Sequence, residues 1–237
     1  MKLRSSIWAT ILLLGIYFFS GGTGDTLAGG GLADLTPTRT KTDGLKGKVI
    51  VIDPGHGGYN AGAVGASGKT WEKTNVLFIA KDLKTMLEAA GATVVMTRET
   101  DISPESKTRN QLETRVDIAN QAKADLFVSI HNDANKDRTI VGTTTYYYGS
   151  AQSRRLAESV QKSLVAALGS RDHGVKSSPY YVLRHTKMPA ILVEVGFISN
   201  FWEEKRLADP AYRYRASQGI FEGIKQYFSS SSFETPR

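Results

Sequence analysis

Short apolar runs and longer segments with apolar residues three or four apart alternate from Lys48 to Phe228. The short runs, rich in β-branched and aromatic residues, predict strands over Lys48–Asp53, Thr93–Thr97, Leu126–Ile130, Thr143–Tyr148 and Ile191–Val195, with a shorter one over Tyr180–Leu183. The longer segments predict helices. Glu72–Ala90 sets Val76, Ile79, Ala80, Leu83 and Leu87 on one face, follows an N-cap at Thr70, and stops at Gly91. Thr114–Lys123 carries Val116, Ile118 and Ala119, and Ala151–Leu168 carries Leu156, Val160, Leu164 and Leu168 in phase. A last helix runs from about Ala211 to Phe228. Gly55-His56-Gly57-Gly58 and Asp172-His173-Gly174 read as turns. Strands alternating with helices predict an α/β fold with helices on both sheet faces. Ligands in such folds gather at the carboxyl ends of the strands.

The flanks follow other rules. Lys2 and Arg4 precede an apolar stretch, Ile7–Phe19, interrupted only by Thr10 and Gly15. Its length suits the apolar region of a signal peptide and falls short of the ~20 residues a spanning helix needs. Thr26-Leu27-Ala28 offers a cleavage site, and the alternative is an uncleaved anchor. Residues 1–28 are therefore expected to be a signal peptide or membrane anchor, and 29–45, rich in Gly and Thr, a flexible linker. One folded domain is expected over 46–230, with a disordered tail over 231–237. The domain is placed outside the cytoplasm: in the periplasm, in the wall, or secreted.

The absence of Cys excludes disulfides, thiolate metal sites and a Cys nucleophile, so any metal is held by nitrogen and oxygen. The formal charge is +7; removing Lys2, Arg4 and Asp25 with the leader leaves +6. A basic exported domain is drawn to polyanions such as wall polymers, peptidoglycan carboxylates or anionic lipids. Nothing along the chain resembles a nucleic-acid-binding motif.

Four polar residues stand out against this pattern. They are His56 in VIDPGHGG, Glu72 in TWEKTN, His131 in FVSIHNDA and Glu194 in ILVEVGFISN. Taken singly, each has an ordinary reading. His56 and His131 fit solvated strand exits, Glu72 complements a helix dipole, and Glu194 fits a buried ion pair to Arg184 or Lys187. Taken together, two imidazoles and a carboxylate are a set that zinc accepts with one position open for water, and Glu194 can serve as general base. Glu194 is the least ordinary, because a carboxylate inside an apolar strand needs a cation or a raised pKa. Asp53 is a candidate to orient His56, and Arg98 and Lys176 are candidate substrate contacts. His173 and His185 lie in loop-like contexts and are not expected to be ligands.

In order and spacing, VIDPGHGG, WEKTN, MTRETD, RVDIANQAKADLFVSIHNDA and ILVEVGFISN resemble the zinc-dependent N-acetylmuramoyl-L-alanine amidases of the type-3 family, over about Lys48–Phe228. The resemblance implies a twisted, mixed, mostly parallel sheet flanked by helices, making 46–230 an amidase catalytic domain. It implies Zn2+ bound by His56, Glu72 and His131, with Glu194 catalytic. The implied reaction cuts the amide between the lactyl group of N-acetylmuramic acid and L-alanine of the stem peptide in peptidoglycan. The alternatives are a zinc peptidase of the stem peptide and a non-catalytic wall-binding module. Expected partners are peptidoglycan, the membrane through residues 7–19, and a protein activator, with no nucleic acid; the chain is expected to be a monomer. The chain departs from the family where Asp-Pro often follows the glycines and Tyr59-Asn60-Ala61 stands instead. It departs again at His173-Gly174-Val175-Lys176, where Arg-Gly-Val-Lys is frequent.

Overall fold

The structure is a computed structural model and describes residues 44–105 and 110–231. The expected leader, the linker up to residue 43 and the tail past residue 231 lie outside the described residues. Among the described residues no helix is long and apolar enough to cross a membrane.

The first half of the domain is built from β1 (Val49–Pro54), α1 (Glu72–Ala89), β2 (Thr93–Met96), α2 (Gln111–Gln121) and β3 (Leu126–Asp133). The second half contains β4 (Thr143–Tyr147), α3 (Ala151–Leu168), β5 (Asp172–Ser177), α4 (Tyr181–His185), β6 (Ala190–Phe197), α5 (Phe201–Ala208) and α6 (Pro210–Ser231). The six strands form one sheet in the order β2-β1-β3-β6-β4-β5. Every ladder is parallel except β4 with β6. This is the mixed, mostly parallel sheet implied by the resemblance.

Side chains alternate across a strand, so each buried strand supplies two cores. Ile50, Ile52, Leu126, Val128, Ile130, Ile191 and Val193 pack against α1, α3 and α6. Val51, Phe127 and Leu192 face the other way, onto Val116 and Ala119 of α2 and Val182 and Leu183 of α4. With both faces covered, the chemistry is left to the rim where β1, β3 and β6 end.

Several local expectations are corrected. Tyr180–Leu183 is not a strand: Tyr181–His185 is one short helix, too brief to display a helical period, and its adjacent Val182 and Leu183 imitate a strand run. Asp172-His173-Gly174 is not an isolated turn but opens edge strand β5, whose polar, largely exposed residues carry no alternation. The N-cap of α1 is Trp71, not Thr70, and makes no side-chain capping bond. Helix α2 starts earlier than expected, at a capping box in which Asn110 accepts from Leu112 and Glu113 N–H and Glu113 reaches back. β3 does not stop at Ile130 but runs through His131 to Asp133. Helix α5 was not anticipated; Asn200 caps it, accepting from Trp202 and Glu203 N–H.

Candidate metal centre

His56 sits in the turn leaving β1 with φ at 60°, a left-handed backbone that a side chain seldom adopts. Two contacts pin it. Arg115 Nη2 donates to His56 O, and Asn60 Oδ1 lies 2.9 Å from His56 Nδ1. Asp53 does not orient His56, contrary to expectation. It is buried and ion-paired to the equally buried Arg115, and it accepts from Thr97 Oγ1 at 2.6 Å and Ser129 Oγ at 2.7 Å. Burial alone would raise the Asp53 pKa, but Arg115 and the two hydroxyls hold it below the ordinary carboxylate value. Arg115 Nη1 also donates to Pro54 O at 2.9 Å, so the pair anchors the backbone on which His56 is displayed.

Glu72 opens α1 and is 3% exposed. Its Oε1 lies 2.8 Å from His131 Nδ1 and 3.1 Å from His56 Nε2, and accepts from Asn132 N–H at 3.0 Å. Its Oε2 accepts from Ala63 N–H at 2.8 Å. Burial pushes its pKa up, but the bonds to His131 and His56 outweigh that and hold it well below the usual range. The two rings meet edge to face with centroids 4.9 Å apart. One ligand atom from each of His56, Glu72 and His131 falls within 4.8 Å of the others.

Two glycines leave room for this cluster. A Cβ on Gly55 would lie 2.3 Å from the His131 ring, and one on Gly62 would lie 2.5 Å from Glu72 Oε2. No side chain fits at either position with the cluster in place.

His131 and Glu194 are partners across β3 and β6. Glu194 makes no ion pair with Arg184 or Lys187 among the described residues, and its Oε2 is buried without a hydrogen-bond partner. Burial, then the negative charges of Glu72 and Asp133, push its pKa well above the ordinary value. A cleft of about 300 Å³ opens here, lined by His56, His131 and Glu194 together with Leu112, Tyr180 and Tyr181. The donor set is borderline nitrogen plus oxygen, a set zinc accepts. A buried, unpartnered carboxylate beside it is the group a nearby cation would compensate. The residues fit a zinc ion.

The remaining candidates lie elsewhere. Arg98 is buried and donates to the carbonyls of Pro54, Gly55, Lys73 and Thr100, so it braces the turn and does not face substrate. Lys176 is exposed on edge strand β5. His173 Nε2 lies 2.8 Å from Val141 O, and His185 stacks on Tyr181 with centroids 4.3 Å apart. Arg115 and Asn60 were missed. A charged residue in phase with Ala119 on the buried face of α2 was a signal for Arg115; Asn60, in a glycine-rich turn, gave none.

The model of the N-acetylmuramoyl-L-alanine amidase family matches residues 50–226. The chain belongs to that family. Among curated relatives, N-acetylmuramoyl-L-alanine amidase LytC of Bacillus subtilis is 43% identical over 185 residues, covering 77% of this chain and 36% of LytC. The probable cell wall amidase LytH of Staphylococcus saprophyticus is 39% identical over 186 residues, 78% of this chain and 60% of LytH. The chain thus spans less than two thirds of either relative. Whole solved domains match it more fully. The catalytic domain of the amidase CwlV from Bacillus (Paenibacillus) polymyxa var. colistinus superposes with TM-score 0.71 at 39% identity, covering 77% of this chain and 98% of that one. The CwlD amidase of Clostridioides difficile, solved in complex with the GerS lipoprotein, gives TM-score 0.74 at 31% identity, covering 77% and 99%. Membership of the amidase family agrees with the resemblance read from the motifs.

Proposed function

We propose that the chain is a zinc-dependent N-acetylmuramoyl-L-alanine amidase that hydrolyses the bond between the lactyl carbonyl of N-acetylmuramic acid and L-alanine of the stem peptide. The supporting observation is the unpartnered Glu194 carboxylate on the cleft that His56 and His131 also line, those two forming a cluster with Glu72. His56, Glu72 and His131 hold the zinc, which, when bound, supplies a Lewis acid and a water of lowered pKa. Glu194 accepts a proton from the attacking water and returns it to the departing alanine nitrogen, because an amine leaves poorly as an anion. Its burial and the negative charges of Glu72 and Asp133 raise its pKa, and a carboxyl so placed can carry the proton between the two steps. Leu112, Tyr180 and Tyr181 add apolar surface to the lining of the same cleft.

A carboxypeptidase reading needs a free arginine to clamp a terminal carboxylate. Among the described residues, the arginine lining this cleft is Arg115, which spends its donors on Asp53, Pro54 and His56, and this favours the amidase. Residues 1–28 deliver the domain to the wall, with 7–19 as the apolar element of a cleaved signal or an anchor. CwlD is solved with a lipoprotein, and by that likeness a protein activator is a partner to look for here. Digestion of purified peptidoglycan tests the reading. New L-alanine amino termini on released stem peptides, with intact glycan strands, are expected; cuts within the stem peptide alone would replace amidase by peptidase.

A further inference from the structure

An imidazole binds a metal only through a nitrogen without a proton, so a partner that fixes the proton on one nitrogen selects the other as ligand. At His56 the nitrogen turned toward the cluster is Nε2, 3.1 Å from Glu72 Oε1. The other, Nδ1, faces the side chain of Asn60 at 2.9 Å. A carboxamide offers an acceptor at one end and a donor at the other, and only the acceptor end leaves Nε2 free. The surroundings of Asn60 decide which end it is. The atom facing His56 also lies 3.2 Å from the backbone N–H of Gly62, which can only donate, so that atom is the oxygen. The opposite end, Nδ2, then donates to Gln111 Oε1 at 3.2 Å. The backbone holds the residue in place, through Gly57 N–H to Asn60 O at 2.9 Å and Asn60 N–H to Gly57 O at 3.1 Å. His56, Asn60 and Gln111 all line the same cleft.

We propose that Asn60 is a positioning residue that holds the proton of His56 on Nδ1 and so presents Nε2 to the metal, with Gln111 keeping the Asn60 amide from turning over. The inference rests on the zinc reading of the cluster. Arg115 fixes the carbonyl of a residue in a left-handed conformation, and Asn60 fixes its ring. Two separated anchors define both where the imidazole is and which nitrogen it offers. Asn60 does this without a charge, so the site's net charge is unchanged by the contact.

The test uses the full zinc-loaded chain, nitrogen-15 labelled at histidine. The wild type is expected to show a His56 ring proton on Nδ1, slow to exchange with water, and metal on Nε2. Asn60→Ala is expected to lose the slow exchange and to bind zinc about 10–100-fold more weakly in competition with a chelator. Asn60→Asp, which keeps an acceptor for both His56 and Gly62, is expected to restore both readouts. Gln111→Glu, which keeps an acceptor for Asn60 Nδ2, is expected to stay near wild type, and Gln111→Ala to weaken zinc binding. An Asn60→Ala protein with wild-type zinc affinity and an unaltered ring proton overturns the positioning role alone. A wild type that binds no zinc overturns the metal reading and the positioning role with it. A wild type whose His56 binds metal through Nδ1 overturns the assignment before any variant is made.

Discussion

His131 and Glu194 face each other as Cα partners in the parallel β3–β6 ladder, the last regular pair before the register shifts toward Asp133. A cluster imidazole and an unpartnered carboxylate are thereby set side by side on rigid backbone, not on loops. Neighbouring strands lie about 4.8 Å apart, so the two groups reach one small volume without a conformational change.

The first prediction concerns the metal. The purified domain should carry about one equivalent of zinc per chain, held by two histidines and one glutamate. His131→Ala should fall to well below half an equivalent under the same dialysis, by elemental analysis. Zinc bound undiminished would remove His131 from the centre.

Glu194→Gln should keep its zinc and lose amide cleavage by at least ~10²-fold, the scale of a lost general acid–base group. The glutamine matches the carboxylate in size but cannot take up the proton. Loss of zinc in this variant would instead make Glu194 a ligand.

Asp53→Asn should destabilise the fold by about 3–5 kcal/mol, because it leaves the Arg115 guanidinium buried without its counter-charge. The wild type has a matching acid limb. The folded-state pKa of Asp53 is depressed, so its contribution is full above the unfolded value of about 4 and drains away as pH falls toward the folded value. Urea titrations from pH 7 to pH 3 should show the wild-type advantage over Asp53→Asn shrinking as the pH drops. A constant gap would refute the assignment.

Gly55→Ala should cost about 1–3 kcal/mol and weaken zinc binding, because its methyl needs the space taken by the His131 ring. Far-ultraviolet circular dichroism should remain that of the wild type. An alanine variant with full zinc affinity would show that the ring can move aside.

A reporter fused after Arg237 should be active only outside the cytoplasm, given Lys2 and Arg4 ahead of the apolar stretch. Recovery of the native chain as a soluble cytoplasmic protein would count against export.

Much of this was legible before any coordinates. The continuous apolar runs of β1, β3 and β6 could only be buried strands, and helices α1 and α3 were in phase over many turns. His56, Glu72 and His131, read together from motif spacing, do converge in space. What escaped was of two kinds. Helix α4 and strand β5 are too short or too polar to display a period, so tertiary packing alone decides them. Asp53 was paired in expectation with the nearest histidine in the chain, whereas its partner Arg115 comes from α2, and sequence proximity says nothing about such a contact.

Among the described residues the last strand, β6, lies in the middle of the sheet. It alone joins the β2-β1-β3 half to the β4-β5 half. In a polypeptide made N-terminus first, His56, Glu72 and His131 therefore precede Glu194, and the β3–β6 and β4–β6 ladders cannot form before β6 is made. The strand that unites the halves is also the one that carries the carboxylate. On the proposed mechanism, a chain that ends before Ala190 lacks both the strand that joins the halves and the carboxylate that serves as base.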